Sequence, residues 1–230
     1  MIFQKPKFIL TDIEGTTTSI SFVTDILFPY FRTHISELLQ LKEQQIVQDA
    51  FDETVRIAKE EDLEELISDA QILSKLVNWS IEDRKITPLK TLQGVLWELG
   101  YQDGTLKGHV YPDVEPALQA WKKDEIPMGV FSSGSVEAQK LIFGYSISGD
   151  LTPYFSAYFD TKTGGKRASE TYKKIATSLQ INPKSILFLS DIEDELKAAE
   201  LAGFQTIQLC RELVKGTWNK QVKSFEEIEF

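Results

Sequence analysis

Three short, mostly apolar runs of the sequence each end in a side chain that can bind phosphate or a metal ion. These side chains are Asp12, Ser132 and Asp191. Apolar runs of this kind are typical of buried strands in a parallel sheet, and ligands of open α/β sheets bind at the carboxyl edge of the strands. The three residues are therefore expected to share one site, although any one of them alone could simply form a turn.

Asp12 and Glu14 are two carboxylates at the start of one loop. A carboxylate can attack phosphorus and form an acyl phosphate, so Asp12 is a candidate nucleophile. Glu14 can face the same pocket and move the proton of a leaving alcohol. The residues from Gly15 to Thr18 offer backbone N–H groups and hydroxyls for phosphate oxygens. Residue types alone leave a second possibility open, namely that Asp12 only caps a helix.

The segment from Ser132 to Ser135 combines hydroxyls with a glycine ahead of a predicted helix. That arrangement predicts a phosphate-binding turn made by Ser132 and Ser133, with Ser135 as the helix N-cap. Lys166 follows two glycines and could neutralise negative charge that develops on phosphate. An isolated lysine is more often solvated, and that alternative stays open.

Asp191 is the best candidate partner for Asp12 in a metal site. Mg²⁺ prefers oxygen ligands and is usually held by one or two carboxylates, with water and substrate phosphate completing its coordination. The neighbouring Glu193 and Asp194 are expected only to begin a helix, where acidic residues favour the helix dipole. The two histidines, His34 and His109, are isolated, which argues against a zinc site.

The pattern of elements divides the chain into two domains. Residues 21–104 show helical spacing throughout, whereas residues 1–20 and 105–230 alternate strands with helices, as a parallel α/β sheet requires. The acidic run from Glu60 to Glu65 predicts the start of a solvated helix. A helix beginning at Thr87 is expected to end at Gly100, and the segment from Phe204 to Leu209 is expected to be the last strand.

Composition excludes several kinds of partner. The 230 residues carry a net charge of −10, which argues against binding to nucleic acid or to an anionic membrane surface. No signal peptide and no apolar segment of transmembrane length is recognised. The single cysteine, Cys210, fits a reducing cytoplasm and is expected to be a buried thiol. Without a heptad pattern, we expect a monomer.

Beyond these physical arguments, the residues resemble a known family. The motif from Asp12 to Thr17, Asp-Ile-Glu-Gly-Thr-Thr, resembles the first motif of haloacid dehalogenase-type phosphatases, Asp-x-Asp-Gly-Thr. Glu14 replaces the second Asp, as in the enolase-phosphatase (acireductone synthase) family of methionine salvage. Further segments similar to that family follow in order along most of the chain, which is more specific than one motif. They are Ile20–Val23, Leu27–Tyr30, Leu89–Gly94, Trp97, Gly100–Tyr101, His109–Val114, Phe131–Val136, Ala138–Leu141, Phe143–Gly144 and Phe159–Lys162.

The resemblance implies a Rossmann-like parallel-sheet core with an inserted all-helical cap, and a role for each candidate residue. Asp12 would be nucleophile and metal ligand. Glu14 would bind the metal through its main-chain carbonyl and leave its side chain for acid–base work. Ser132 and Ser133 would bind substrate, Lys166 would hold the phosphate, and Asp191 would complete the site of one Mg²⁺ per subunit. Glu195 also occupies a place that is commonly acidic in the family.

The family's reaction implies a magnesium-dependent phosphoric monoester hydrolase with a small phosphorylated diketone as substrate. Enzymes of that family enolise 2,3-diketo-5-methylthiopentyl-1-phosphate and then hydrolyse its phosphate ester to give 1,2-dihydroxy-3-keto-5-methylthiopentene. The cap would exclude water and set specificity. Two alternatives remain at this point: a phosphatase of the same superfamily that acts on another ester, and a phosphate-binding module without catalysis.

Overall fold

The computed structural model describes residues 4–211 and 216–230. Contacts within the chain divide it into two compact units. Unit 1 comprises Met1–Ile20 with Lys107–Phe230, and unit 2 comprises Ser21–Leu106. The second boundary lies two residues beyond the Gly104 boundary that the sequence predicted. The assignment of unit 1 as a phosphatase core and unit 2 as its cap stays a proposal.

Unit 1 is built on a parallel sheet, as the alternation of strands and helices predicted. Its strands are β1 (Phe8–Thr11), β2 (Met128–Phe131), β3 (Phe155–Phe159), β4 (Ile186–Ser190), β5 (Gln205–Leu209) and β6 (Gln221–Val222). They lie in the order β3-β2-β1-β4-β5-β6, and every pair of neighbours is parallel. The expectation that β5 would be the last strand was wrong, because a two-residue edge strand is too short to show a pattern in the sequence.

The helices of unit 1 are α6 (Val114–Lys123), α7 (Val136–Gly144), α8 (Ser169–Leu179) and α9 (Glu193–Leu201). Short 3₁₀ turns lie at Thr152–Tyr154, Pro183–Ser185 and Phe225–Glu227. Strands β1, β2 and β4 are buried along their whole length, which explains their continuous apolar runs. Side chains of β1, β4, α8 and α9 share one hydrophobic core. Cys210 is buried, as expected.

Unit 2 is helical in its described elements. They are α1 (Ile20–Phe22), which begins one residue before the unit boundary, α2 (Phe28–His34), α3 (Gln45–Glu61), α4 (Asp69–Ile81) and α5 (Thr87–Gln102), with helical turns at Val23–Leu27 and Ile35–Leu39. Apolar side chains of α2 to α5 form a core of their own.

Two predictions about helix ends in unit 2 were wrong. The acidic run ends α3 and continues into a loop instead of starting a helix. Helix α5 continues two residues past Gly100. Glycine is present there because a larger residue would collide with a neighbouring side chain, and not because the helix ends. A Cβ atom at Gly100 would lie 2.6 Å from the ring of Tyr30. Within residues 4–211 and 216–230, no helix combines the length and apolar character that a membrane span needs.

Candidate active site

The carboxyl ends of β1, β2 and β4 meet at one edge of the sheet in unit 1. A cavity of about 140 Å³ lies there, small beside the ~300–1,000 Å³ of typical ligand pockets. Its volume suits a phosphoryl group with its immediate partners. The cavity is lined by Asp12, Glu14, Ile20, Ser132, Ser133, Lys166, Asp191, Ile192 and Glu195. The structure therefore brings together all six residues that the sequence selected.

Asp12 is fixed at the end of β1 and is only 4% exposed. Its backbone N–H donates to Leu189 of β4 at 2.9 Å, which continues the ladder of the sheet into the site. Its Oδ1 accepts from the Ile13 N–H at 2.7 Å and contacts the ammonium of Lys166 at 2.6 Å. Oδ2 has no hydrogen-bond partner among the described residues, so it is the carboxylate oxygen that remains open to a ligand.

Residues 12–19, called the nucleophile loop here after the role predicted for Asp12, are held in place by hydrogen bonds within the loop. The N–H groups of Thr16, Thr17 and Thr18 donate to the carbonyl of Ile13 at 2.9–3.1 Å, and that of Gly15 donates to Thr18. The expectation that these amides and hydroxyls serve phosphate oxygens is therefore wrong for the amides, which are already engaged. The Thr17 and Thr18 hydroxyls donate to backbone carbonyls as well. The threonines rigidify the loop that carries Asp12.

Lys166 is 8% exposed and bridges two carboxylates. Its Nζ lies 2.6 Å from Asp12 Oδ1 and 2.7 Å from Glu195 Oε2. Burial alone would lower the pKa of Lys166, but the two carboxylates outweigh burial and raise that pKa above its ordinary value. The Tyr172 hydroxyl at the start of α8 donates to the Lys166 carbonyl at 2.7 Å and so fixes its backbone. The solvated alternative for Lys166 was wrong.

Asp191 and Glu195 complete the acidic side of the cavity. Burial, reinforced by the nearby Asp12 carboxylate, raises the pKa of Asp191 to about 7. Burial also raises the pKa of Glu195, followed by the effect of Asp12, while Lys166 and the Ser190 hydroxyl oppose the shift. Sequence reasoning gave Glu195 no defined role. Glu195 is the third residue of α9, and an acidic start to a helix already explains it in the same way as Glu193 and Asp194.

The two serines follow β2. Ser132 is buried, and its Oγ accepts from the Gly134 N–H at 3.3 Å. Ser135 caps α7 by accepting from the Ala138 N–H at 3.2 Å, as predicted. Gln139 of α7 was not foreseen. It donates to the carbonyls of Gly134 and Phe159, at 2.9 and 2.8 Å, and so ties this turn to the end of β3.

The donor set fits a magnesium ion. Oδ1 of Asp191 is buried without a hydrogen-bond partner in the described part of the chain. Four of the lining side chains carry carboxylates and one carries an ammonium, so a divalent cation would offset repulsion of a phosphate. No cluster of three or more acidic, His or Cys side chains suited to a metal occurs among residues 4–211 and 216–230. Mg²⁺ needs only one or two carboxylates.

Comparison with known proteins assigns the chain to a class. A family profile described as haloacid dehalogenase-like hydrolase matches residues 6–203. The yeast protein UTR4 from Saccharomyces cerevisiae has a similar solved structure, with a TM-score of 0.81 and 31% sequence identity. The similarity covers 97% of this chain and 100% of that chain. Fold, site and profile together define a haloacid dehalogenase-like hydrolase.

The relatives define the family more narrowly. The chain is 50% identical over 205 residues to "Enolase-phosphatase E1" of Picosynechococcus sp., covering 89% of this chain and 90% of that protein. It is 49% identical over 226 residues to the protein of the same name from Pseudomonas fluorescens, covering 97% of both. The chain belongs to the enolase-phosphatase family of haloacid dehalogenase-like hydrolases.

Proposed function

We propose that this protein is the enolase-phosphatase of methionine salvage and that it works through an aspartyl-phosphate on Asp12. The substrate is 2,3-diketo-5-methylthiopentyl-1-phosphate, and the product is 1,2-dihydroxy-3-keto-5-methylthiopentene. The observation that carries the proposal is the convergence of Asp12, Lys166 and Asp191 in one small cavity, in a chain with relatives named for this activity.

Enolisation requires a base for a carbon-bound proton. The C–H bond that is broken lies on C1, next to the C2 carbonyl. The base keeps the C1 proton, and the C2 carbonyl oxygen takes a proton from solvent water. Glu14 lines the cavity at half-buried depth and is our candidate for this proton transfer. Its side chain is one methylene longer than the aspartate usual at this position in the superfamily, which extends its reach toward C1.

Phosphate transfer follows at the same site. Oδ2 of Asp12 attacks phosphorus, the bond to the ester oxygen breaks, and the leaving oxygen takes a proton from Glu14. Water then gives a proton to the ionised Glu14 and attacks the phosphorus of the aspartyl-phosphate, which breaks the bond from phosphorus to Asp12 and releases inorganic phosphate. Glu14 returns its proton to solvent, and both carboxylates are regenerated. Lys166 holds Oδ1 of the nucleophile and offers positive charge to the phosphoryl group, while Ser132 and Ser133 offer hydroxyls to the substrate.

One Mg²⁺ per subunit would be held by the carboxylates of Asp12 and Asp191, with the main-chain carbonyl of Glu14 as a third ligand. When bound, it supplies positive charge that stabilises an enolate oxygen and a transferring phosphoryl group. The unsatisfied Oδ1 of Asp191 supports this assignment. We further propose a monomer that works in the cytoplasm on this small molecule, with no nucleic acid or membrane partner.

Incubation of the protein with the diketone phosphate and magnesium tests the function. We expect an enediol absorbance to appear together with release of inorganic phosphate. The variant Asp12→Asn should release no phosphate, whereas the matched control Asp194→Asn should behave as the wild type, because Asp194 is exposed and does not line the cavity. Release of phosphate from unrelated esters only would replace the proposal with a general phosphatase. No release from any ester would leave a binding module.

A further inference from the structure

Arg211 is a buried arginine that reaches the nucleophile loop from the far end of the sequence. It is 7% exposed. Its Nε and Nη2 both donate to the carbonyl oxygen of Thr16, at 3.0 and 2.8 Å, across a separation of 195 residues. The planar guanidinium thus holds a single backbone carbonyl with two donors in a fixed geometry. No residue type other than arginine offers that fork.

The positive charge of Arg211 is balanced by the carboxylate of Asp113, which contacts the third guanidinium nitrogen, Nη1. Nη1 lies 2.8 Å from both carboxylate oxygens of Asp113 and 3.3 Å from the Lys223 carbonyl. Asp113 is itself buried and accepts the backbone N–H of Phe225 at 2.6 Å. The guanidinium also lies over the Tyr111 ring, 4.3 Å from its centroid. Each partner is therefore fixed by further contacts, so the arginine cannot shift without losing several bonds.

Stability alone is a weak explanation for such a pair. Removing two charges from water is costly, and buried ion pairs are often no more stabilising than apolar residues of the same volume. An apolar pair could not donate hydrogen bonds to the Thr16 carbonyl. The carbonyl belongs to the loop that carries Asp12, and none of the residues in the Arg211–Asp113 pair lines the cavity.

Thr16 lies between residues that contact both site carboxylates or their backbone. Its neighbour Gly15 lies so close to Asp191 that a Cβ atom there would be 2.4 Å from Asp191 Oδ2. On the other side, the Thr17 hydroxyl lies 3.3 Å from the Asp12 carbonyl, to which it donates. A shift of Thr16 would therefore move the backbone at Asp12 and the contact with Asp191 together.

We propose that Arg211, held by Asp113, is a positioning residue that fixes the nucleophile loop so that Asp12 and Asp191 keep their working separation. The proposal rests on the proposed function for its kinetic consequence. Its structural part, the fixation of the loop, can be measured without any turnover.

The main test variant is Arg211→Lys, which keeps the positive charge beside Asp113 but has no fork for the Thr16 carbonyl. The matched control is Val222→Ala in β6, which weakens packing in the same C-terminal region. The Val222 side chain is only 3% exposed and makes no hydrogen bond to Thr16 or Arg211. If Arg211→Lys does not fold, the double variant Arg211→Gln/Asp113→Asn removes both charges and replaces it.

Hydrogen exchange of the metal-free proteins, followed by mass spectrometry, reads the loop directly. The amides of residues 15–18 should exchange about tenfold faster in Arg211→Lys. The loop should open more often once a hydrogen bond of ordinary strength to the Thr16 carbonyl is lost. Those of β2 should be unchanged, and Val222→Ala should leave residues 15–18 as in the wild type. Unchanged exchange in Arg211→Lys, or equal acceleration in both variants, overturns the proposal.

The kinetic readout separates positioning from folding. For the folded fraction of Arg211→Lys, kcat should fall between ~10- and ~100-fold, the scale expected when a reacting group is misplaced by a fraction of an ångström to an ångström. KM should stay within about threefold, because Ser132, Ser133 and Lys166 are untouched. A normal kcat with only a lower melting temperature would show a merely structural role. An inactive wild type would instead refute the proposed function and leave the exchange result standing.

Discussion

Among single residues, Glu14 and Asp191 allow the sharpest tests of the proposed proton transfer and metal binding. Both line the cavity with Asp12, yet they are assigned opposite tasks. In the proposed mechanism Asp191 stays ionised as a metal ligand, whereas Glu14 accepts and releases a proton during each turnover. A residue that transfers a proton must reach the atom that carries it, and a carboxylate that binds a metal ion must be ionised. Each demand leads to a separate prediction.

Glu14→Asp should impair enolisation more than phosphate release. The shorter side chain retracts the carboxyl group by about one C–C bond from the C1 proton, and a misplaced base loses about 10- to 100-fold in rate. The enediol absorbance should therefore form at least tenfold more slowly, while hydrolysis of a simple phosphate ester is less affected. Normal enolisation by Glu14→Asp would refute the role of the extra methylene.

The stability of the metal-free protein should depend on pH through Asp191. Its pKa is raised from 3.8 to about 7 by burial and by Asp12. A carboxyl group with a raised folded-state pKa stabilises the fold in its protonated form, and that contribution is lost as the pH rises from about 4 through about 7. The melting temperature in EDTA should therefore fall over this interval, and Asp191→Asn should show a smaller fall. An equal fall in both proteins would contradict the prediction.

At the scale of elements, the loop after β1 is the part that most constrains the site. Gly15 has φ of +71° and lies against the carboxylate of Asp191. Gly104 has a similar φ of +83°, but a Cβ atom added there would meet no other atom within 4 Å. The two glycines therefore differ in contact and not in backbone conformation, which makes them a matched pair for experiment.

Gly15→Ala should abolish most activity, whereas Gly104→Ala should not. Both changes carry the left-handed backbone penalty of about 1–2 kcal/mol. Only Gly15→Ala also pushes the Asp191 carboxylate away, so kcat should fall by about 100-fold and more magnesium should be needed for half-maximal activity. Titration of activity against magnesium measures both effects. Similar losses in the two variants would mean that strain, and not the Asp191 contact, governs activity.

The elements also show which parts of the fold and of the site could be predicted from the sequence. The ends of β1, β2 and β4 could be predicted because apolar runs that stop at polar residues are a local signal, and parallel strands collect such ends at one edge. Glu195 could not be assigned, because acidic residues at a helix start have an ordinary explanation. The pair of Arg211 and Asp113 joins positions 98 residues apart, and no local pattern reports such a contact.

At the scale of the whole molecule, each of the two units has a hydrophobic core formed by its own described side chains. Leu92 of α5 is fully buried in the core of unit 2, and Ile186 of β4 is fully buried in the core of unit 1. Separate cores imply that a defect in one unit need not open the other. The net charge of −10 is a second property of the whole chain. It favours the approach of cations over anions, which agrees with the proposed use of magnesium at the site.

Leu92→Ala should lower the free energy of unfolding of unit 2 by about 2–5 kcal/mol, the cost of a large-to-small change in a core. Hydrogen exchange should accelerate in residues 21–106 and stay nearly constant in the strands of unit 1. Ile186→Ala serves as the converse control and should accelerate exchange in unit 1. If either variant accelerated exchange equally throughout the described chain, the two cores would be one cooperative system.

The most direct test of the account is to trap the phosphoryl group on Asp12. The enzyme is mixed with substrate and magnesium, quenched in acid within one turnover, digested and examined by mass spectrometry. We predict the mass of one phosphoryl group on the peptide that contains Asp12, and no such peptide from Asp12→Asn. A phosphoryl group on another residue, or wild-type turnover by Asp12→Asn, would contradict the account.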